Sequence, residues 1–322
     1  VYKVGFIGSG NSARRHATAL AEIRNAHLAG VWSRTEKHCA AFAAAHGVKA
    51  YRSVEALLSD PDIDAIFVLS ASQTHLEYSV RALEAGKHVL VEKPVGQDAD
   101  EIRRLMEVAA RRGRTCMPFH NYIYAPDVVR MRQQFVSGKL GRPQSFWMLS
   151  HMRQPQSMAI PGIVLDDMMV HLVYSSLFFC GTPQKVMATA SNVHFENGVD
   201  DQVGLTLAYA NGTVGHLWAS WATEDIGREP WSLLIKTYGA EGTGASAWGS
   251  VRREDDVAGV QDFAYENSFY HTQRYFFDEC LANDVPPLSS LEDALSVRAI
   301  IEAAHRSLQR EARVPLAFAQ PE

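Results

Sequence analysis

The chain has 322 residues, 47% of them hydrophobic and 21% charged, and a formal net charge of −5 at pH 7. That length predicts two domains with an ample core, and the lack of a basic excess argues against nucleic acid as a partner. Cys39, Cys116, Cys180 and Cys280 are widely spaced and read as reduced thiols of a cytoplasmic protein, while no apolar stretch approaches a membrane span and no signal peptide is expected.

The chain opens on Lys3-Val4-Gly5-Phe6-Ile7, a short run of strand formers. It breaks into Gly8-Ser9-Gly10-Asn11-Ser12-Ala13, and a helical pattern (Ala13, Ala17, Leu20, Ala21) follows. Strand, glycine turn and helix start make a dinucleotide-binding fingerprint. Gly8 permits the tight turn, Gly10 lets backbone amides approach a pyrophosphate, and Ala13 lets helix and strand pack closely. The amides of Asn11 and Ser12 belong to the helix N-terminus that faces the phosphates.

A second strand, His27–Ser33, ends in Trp32-Ser33-Arg34-Thr35, where a ribose would be read. No Asp or Glu closes it. Ser33 and Arg34 suit a 2′-phosphate, so NADP(H) is expected over NAD(H). The alternative has Arg34 in solvent and Glu36 swinging in to hold an unphosphorylated ribose.

Helices are expected over Glu36–His46, Ser53–Ser59, Thr74–Ala85 and Asp98–Arg112, and buried strands at 65–69, 88–91 and 115–119. This alternation predicts a doubly wound parallel sheet with ligands at its carboxyl edge. Three constellations follow its strands: Ser70, Ser72 and His75; Glu92-Lys93-Pro94; and His120-Asn121. Lys93, after four apolar residues and before a proline, stands at the mouth of the sheet, where partial burial suits it to proton transfer. The plainer account is an ion pair with a neighbour such as Glu92.

Beyond Pro126 the texture changes. Helices are expected at 128–137, 166–179, 269–283 and 291–310. Strands at 144–151, 185–193, 202–209, 213–222 and 232–238 come largely in series, with a hairpin at Asn211-Gly212. The second domain is therefore α+β with a large, mainly antiparallel open sheet. The division falls at 1–122 and 123–322, with the last helix packing back as an option. Asp167 and His171, four apart on an apolar helix, share one face. They are either a working pair or a dipole-favoured Asp beside a satisfied core histidine. A metal site is not expected, because no second histidine lies near.

Taken together, Gly8-x-Gly10-x-x-Ala13-x-x-His16, Glu92-Lys93-Pro94, Asp167-x-x-x-His171 and Ile301–Ser307 resemble the glucose–fructose oxidoreductase / inositol dehydrogenase / MocA family of NAD(P)-dependent oxidoreductases over nearly the whole length. The resemblance implies a Rossmann domain followed by an open-sheet domain that carries substrate and an oligomer interface, as a homodimer or homotetramer. It implies hydride transfer between nicotinamide and a secondary alcohol or ketone of a sugar, cyclitol or related polyol. Lys93, Asp167 and His171 match the residues around the reacting carbon. His171 would act as proton donor and acceptor, Lys93 would stabilise the oxygen, and Asp167 would orient the pair. Implied cofactor contacts are Gly8, Gly10, Asn11, Ser12, Ala13, Ser33, Arg34, Ser70, Ser72, His75, Glu92, Lys93 and Asn121. Tyr122, Tyr124, His151, Arg153 and His271 are the candidates for lining the substrate pocket. Three departures concern the substrate: Ser70-Ala71-Ser72 where Thr-Pro-Asn is common, Tyr174 where an aspartate is common, and no arginine after Asn121. Cofactor-retaining glycoside cleavage and a non-catalytic dinucleotide-binding regulator remain alternatives.

Overall fold

The computed structural model describes residues 1–225, 231–249, 251–252, 260–261 and 263–316. The chain divides into two units: Val1–Tyr124 with Glu266–Leu295, and Ala125–Tyr265 with Ser296–Glu322. The expected division at 122 put all of 123–322 in the second domain. The segment Glu266–Leu295 belongs instead with the first unit.

In the first unit, β1 (Tyr2–Ile7), α1 (Asn11–Leu20), β2 (Ala26–Trp32), α2 (Glu36–His46), β3 (Lys49–Ala50), α3 (Val54–Leu58), β4 (Ala65–Val68), α4 (His75–Glu84), β5 (His88–Val91), α5 (Ala99–Arg112) and β6 (Cys116–Pro118) follow in turn. The sheet order is β3-β2-β1-β4-β5-β6, with every neighbouring pair parallel. This is the doubly wound order in which the chain reverses direction between β1 and β4, opening a crevice at their carboxyl ends. The central strands are apolar on both faces because helices cover both, so Ala65–Val68 and Val89–Val91 are fully buried. Local signals end the helices as expected. Ser53 and Asp98 accept from Ala56 N–H and Glu101 N–H at two N-termini, and Gly47 and Gly113 adopt left-handed φ of 65° and 59° at two C-termini.

The returning segment completes this unit with an aromatic cluster. Phe269, on α8 (Phe263–Tyr275), packs against Phe119 and the His16 ring, and Phe276 and Phe277 pack against Phe67. Alternating aromatics on a helix-length segment carry no label saying which domain they cover.

The second unit contains α6 (Pro126–Val136), β7 (Pro143–His151), a π turn (Val164–Met168), α7 (Met169–Cys180), β8 (Lys185–Ser191), β9 (Gln202–Ala208), β10 (Val214–Ser220), β11 (Trp231–Gly239) and β12 (Thr243–Gly249). After the short β13 (Val251–Arg252) and β14 (Val260–Gln261) come α8 (Phe263–Tyr275), α9 (Leu291–Arg310) and β15 (Val314–Pro315). The seven-stranded sheet runs β12-β11-β7-β10-β9-β8-β15. Only β7 and β10 pair in parallel; the other pairs are antiparallel. The expected hairpin joins β9 to β10, with Gly212 at φ 85°. Burial alternates along the strands, so that Phe146, Met148, Leu205, Leu207 and Leu217 form the inner face. Gly215 is required there, because a Cβ would lie 2.0 Å from the Phe146 ring. On the other face Trp147 is 47% and Met187 41% exposed. Among the described residues no helix is long and apolar enough to cross a membrane.

Candidate functional site

Five of the six strands of the parallel sheet, all but β3, deliver expected groups to its carboxyl edge. After β1, Gly8 has φ 117° and a Cβ there would lie 2.4 Å from the Leu69 carbonyl, so both conformation and contact exclude a side chain. Gly10 differs. Its φ of −79° suits any residue, and a Cβ would meet nothing within 4 Å. Neither backbone nor packing demands a glycine; what it keeps clear is the space before the N-terminus of α1. No side chain caps that helix, which leaves the first amides, including those of Asn11 and Ser12, to an external acceptor. A dinucleotide pyrophosphate fits this cradle. Ala13 is fully buried, as close packing of α1 on the sheet requires.

The turn is tied to the end of β2. Gly8 N–H donates to Trp32 O (2.8 Å), and Ser9 Oγ donates to Ser33 Oγ (2.9 Å). Arg34 follows, exposed. A cleft of about 400 Å³ lies between the start of α1 and α2, lined by Ser9, Gly10, Arg14, His38, Phe42 and His46 among others. The contribution of Arg14 and His38 was not anticipated. Each lies one turn into a helix that begins at the site, and that spacing could have found them.

After β5, Glu92 is the centre of a buried network. Its Oε1 accepts from Ser12 Oγ (2.5 Å) and from His16 Nε2 (3.1 Å), and its Oε2 from Lys93 N–H (3.1 Å). Gln273 Nε2 lies 3.1 Å from His16 Nδ1 and donates to His16 O (3.2 Å). Burial pushes the Glu92 carboxyl up. The His16 hydrogen bond and charge, the Ser12 hydroxyl and the Lys93 charge outweigh it and bring the carboxyl down to about 2. Ser12 and Glu92 were both expected among the cofactor contacts, Ser12 through its backbone amide. Their side chains bind each other and fasten α1 to the loop that carries Lys93.

His75, expected among the same contacts, is engaged within the protein. It is 1% exposed, and its ring bridges Pro94 O (2.7 Å) and Ser70 O (3.0 Å). It therefore ties the β4 and β5 loops together, with both ring nitrogens used. Ser70 Oγ bonds Thr74 Oγ1 (2.8 Å), and Ser72 lies half-buried in the 3₁₀ turn that follows. Lys93 is half-buried at the sheet's edge. After β6, His120 Nδ1 pairs with Ser289 Oγ (2.6 Å), and Asn121 Nδ2 donates to Ser268 Oγ (2.6 Å). Burial pushes the His120 imidazole down to about 3, so it is neutral across the physiological range.

Tyr124, a candidate for lining the substrate pocket, belongs to the core. It is buried, its hydroxyl contacts Met117 Sδ (3.6 Å), and its ring packs on Tyr275. Tyr122 is buried with it in the 3₁₀ turn Asn121–Tyr124. His271 is half-buried on α8, which places it in the first unit. His151 and Arg153 belong to the second unit: His151 ends β7 with its ring near Trp218, and Arg153 is exposed.

In the second unit Asp167 lies in the π turn and His171 in the first turn of α7. His171 is 7% exposed, and its Nδ1 lies 2.7 Å from the Tyr174 hydroxyl. Asp167 was expected to orient the pair; at His171 Nδ1 the group in contact is the Tyr174 phenol. Asp166 pairs with His305 Nε2 (2.9 Å) within the same unit.

Residues 2–120 match the oxidoreductase family with an NAD-binding Rossmann fold, and residues 128–243 match the GFO/IDH/MocA C-terminal domain. The chain belongs to this family. Similar curated proteins include dTDP-3,4-didehydro-2,6-dideoxy-alpha-D-glucose 3-reductase of Saccharopolyspora spinosa, 30% identical over 67% of this chain and 67% of that one. D-xylose 1-dehydrogenase (NADP(+)) 2 of Haloferax volcanii is 24% identical over 97% of this chain and 99% of that one. Among solved structures, scyllo-inositol dehydrogenase from Lactobacillus casei with bound NAD(H) and scyllo-inositol superposes with a TM-score of 0.84. It is 22% identical, covering 98% of this chain and 99% of that one. The chain is thus an oxidoreductase of this family with an NAD-binding Rossmann domain.

Proposed function

We propose that the protein is an NADP(H)-preferring dehydrogenase or reductase acting on a secondary alcohol or ketone of a sugar, cyclitol or related polyol. The observation that carries the cofactor half is the open cradle at Gly10 before an uncapped helix. Preference for the 2′-phosphate is supported by Ser33 and Arg34 and by the cleft between α1 and α2, where Arg14 and His38 stand and no lining residue is a carboxylate. The substrate class is supported by relatives named for sugars and polyols.

A bound nicotinamide would supply the hydride acceptor or donor. In oxidation His171 takes the hydroxyl proton at Nε2, and in reduction it returns it. Lys93, at the carboxyl edge of the parallel sheet, is the group assigned to offset negative charge developing on an oxygen. Asp167, in the turn before His171, is assigned the part of orienting the pair. We also assign a homo-oligomer, dimer or tetramer, through the outer sheet face that bears Trp147 and Met187, and a cytoplasmic setting, consistent with four free cysteines.

The test is a panel of sugars, polyols, cyclitols and their ketones followed by nicotinamide absorbance with each cofactor separately. Substrate-dependent change, faster with NADP(H), is expected. In Lys93→Met it should fall by roughly a hundredfold or more, with cofactor binding retained. Full turnover in that variant, or turnover that leaves the cofactor's redox state unchanged, would overturn the reading.

A further inference from the structure

We propose that Tyr174 is the positioning residue of His171, accepting the Nδ1 proton so that Nε2 is presented as the atom that exchanges a proton with substrate. The inference rests on the reading of His171 given above. Tyr174 is 1% exposed, and its hydroxyl stands 2.7 Å from His171 Nδ1. The two rings meet edge to face, with centroids 5.5 Å apart at 68°. The spacing of three residues puts both on the same side of α7. The backbone beneath is held as well, because Ser175 Oγ donates to the His171 carbonyl (2.7 Å). Main chain and ring are therefore fixed by different residues of one helical turn.

The direction of the bond follows from the chemistry asked of the ring. A neutral imidazole carries one proton. If Tyr174 donated to Nδ1, the proton would sit on Nε2, and Nε2 could not accept another. If Nδ1–H donates to the phenol oxygen, Nε2 holds a lone pair. The substrate O–H bond then breaks, its proton passes to Nε2, and the electron pair of that bond stays on the substrate oxygen. The imidazolium so formed still donates Nδ1–H to the same oxygen. One arrangement serves both protonation states with no rotation of the hydroxyl. In reduction the proton runs back from Nε2 to the oxygen along the same path.

Tyr174→Phe removes only the oxygen. Turnover should fall on the order of tenfold to a hundredfold, the scale of a misplaced catalytic group, while KM, NADP(H) affinity and melting temperature stay within twofold or a few degrees of the parent. In protein carrying ¹⁵N-histidine, the His171 signals, assigned by their loss in His171→Asn, should move from the Nδ1–H form toward mixed tautomers. Site-specific 3-fluorotyrosine at 174 keeps the shape and weakens the oxygen as acceptor, so it should lower turnover without unfolding even where Tyr174→Phe is unstable. Parent-like turnover and unmoved His171 signals in the fluorinated protein would overturn the inference. Full activity of His171→Asn would instead overturn the reading of His171 itself, so the two failures are separable.

Discussion

Glu92→Gln tests whether the carboxylate between α1 and the Lys93 loop holds the first unit together. Three donors converge on its two oxygens: Ser12 Oγ, His16 Nε2 and Lys93 N–H. A glutamine can satisfy two of them with its oxygen, but its NH₂ then faces the Lys93 amide, donor against donor. The carboxyl lies at about 2 in the folded chain against an ordinary 4.5. At about 1.36 kcal/mol per pH unit, that difference corresponds to about 3 kcal/mol at neutral pH. Some of it is shared with His16, so a loss of about 2–3 kcal/mol is expected, or a melting temperature lower by about 5–10 °C. Because the folded value lies below the unfolded one, the stabilisation is complete above about 4.5 and is lost as pH falls toward 2. Thermal unfolding of parent and variant from pH 7 to pH 3 measures both effects. The gap between them should be widest at neutral pH and narrow in acid. Equal melting at pH 7, or a gap independent of pH, would refute the reasoning.

Arg34→Ala should cut kcat/KM with NADP(H) by about 10- to 100-fold, the scale of a lost charge-assisted bond of about 1.5–3 kcal/mol, and leave NAD(H) unchanged; equal loss with both cofactors would show that Arg34 does not read the phosphate. Gly10→Val should fold normally, since its backbone is ordinary and its Cβ meets nothing, yet weaken cofactor binding tenfold or more, which is about 1.4 kcal/mol; titration showing parent affinity would sink the cradle. Trp147→Glu, on the exposed outer face of the second sheet, should shift light-scattering mass toward a single chain, and a parent-like mass would place the interface elsewhere.

Periodicity and punctuation made the parallel half of the fold legible. Continuous apolar runs at 65–69 and 88–91 could be buried only between helices, and Gly47 and Gly113 closed helices where the pattern stopped. The return of Glu266–Leu295 to the first unit was not legible in the same way. Its signal is a set of aromatics, Phe269, Phe276 and Phe277, and an apolar face shows that something must cover it, not what. The π turn at Val164–Met168 was likewise hidden, because a helical period continues through it while the backbone bonds change partner.

The candidate site divides along a related line. Residues whose reason is backbone geometry could be read directly: Gly8 for its φ, Gly10 for its clear space, Ala13 for its burial. Residues whose reason is a partner far along the chain could be singled out but not given a role. Glu92 and His75 stand at the carboxyl edge where cofactor contacts are expected, and the identity of each side chain agrees with that. What decides otherwise is separation in sequence: His16 lies 76 residues before Glu92, and Gln273 lies 257 after His16. A side chain whose polar atoms are all engaged by such partners has none left for a ligand, and it acts by setting where its neighbours stand. Tyr174 shows the converse. It stood out by spacing as a departure beside His171, three residues away, and only the 2.7 Å contact at Nδ1 turns that departure into a role. The carboxyl edge of the sheet therefore combines groups open to a ligand, Gly10 and the exposed Arg34, with groups engaged by one another, Ser12, His16, His75 and Glu92. Mutating a residue of the second kind should move stability as well as rate, whereas mutating one of the first should move rate or affinity alone.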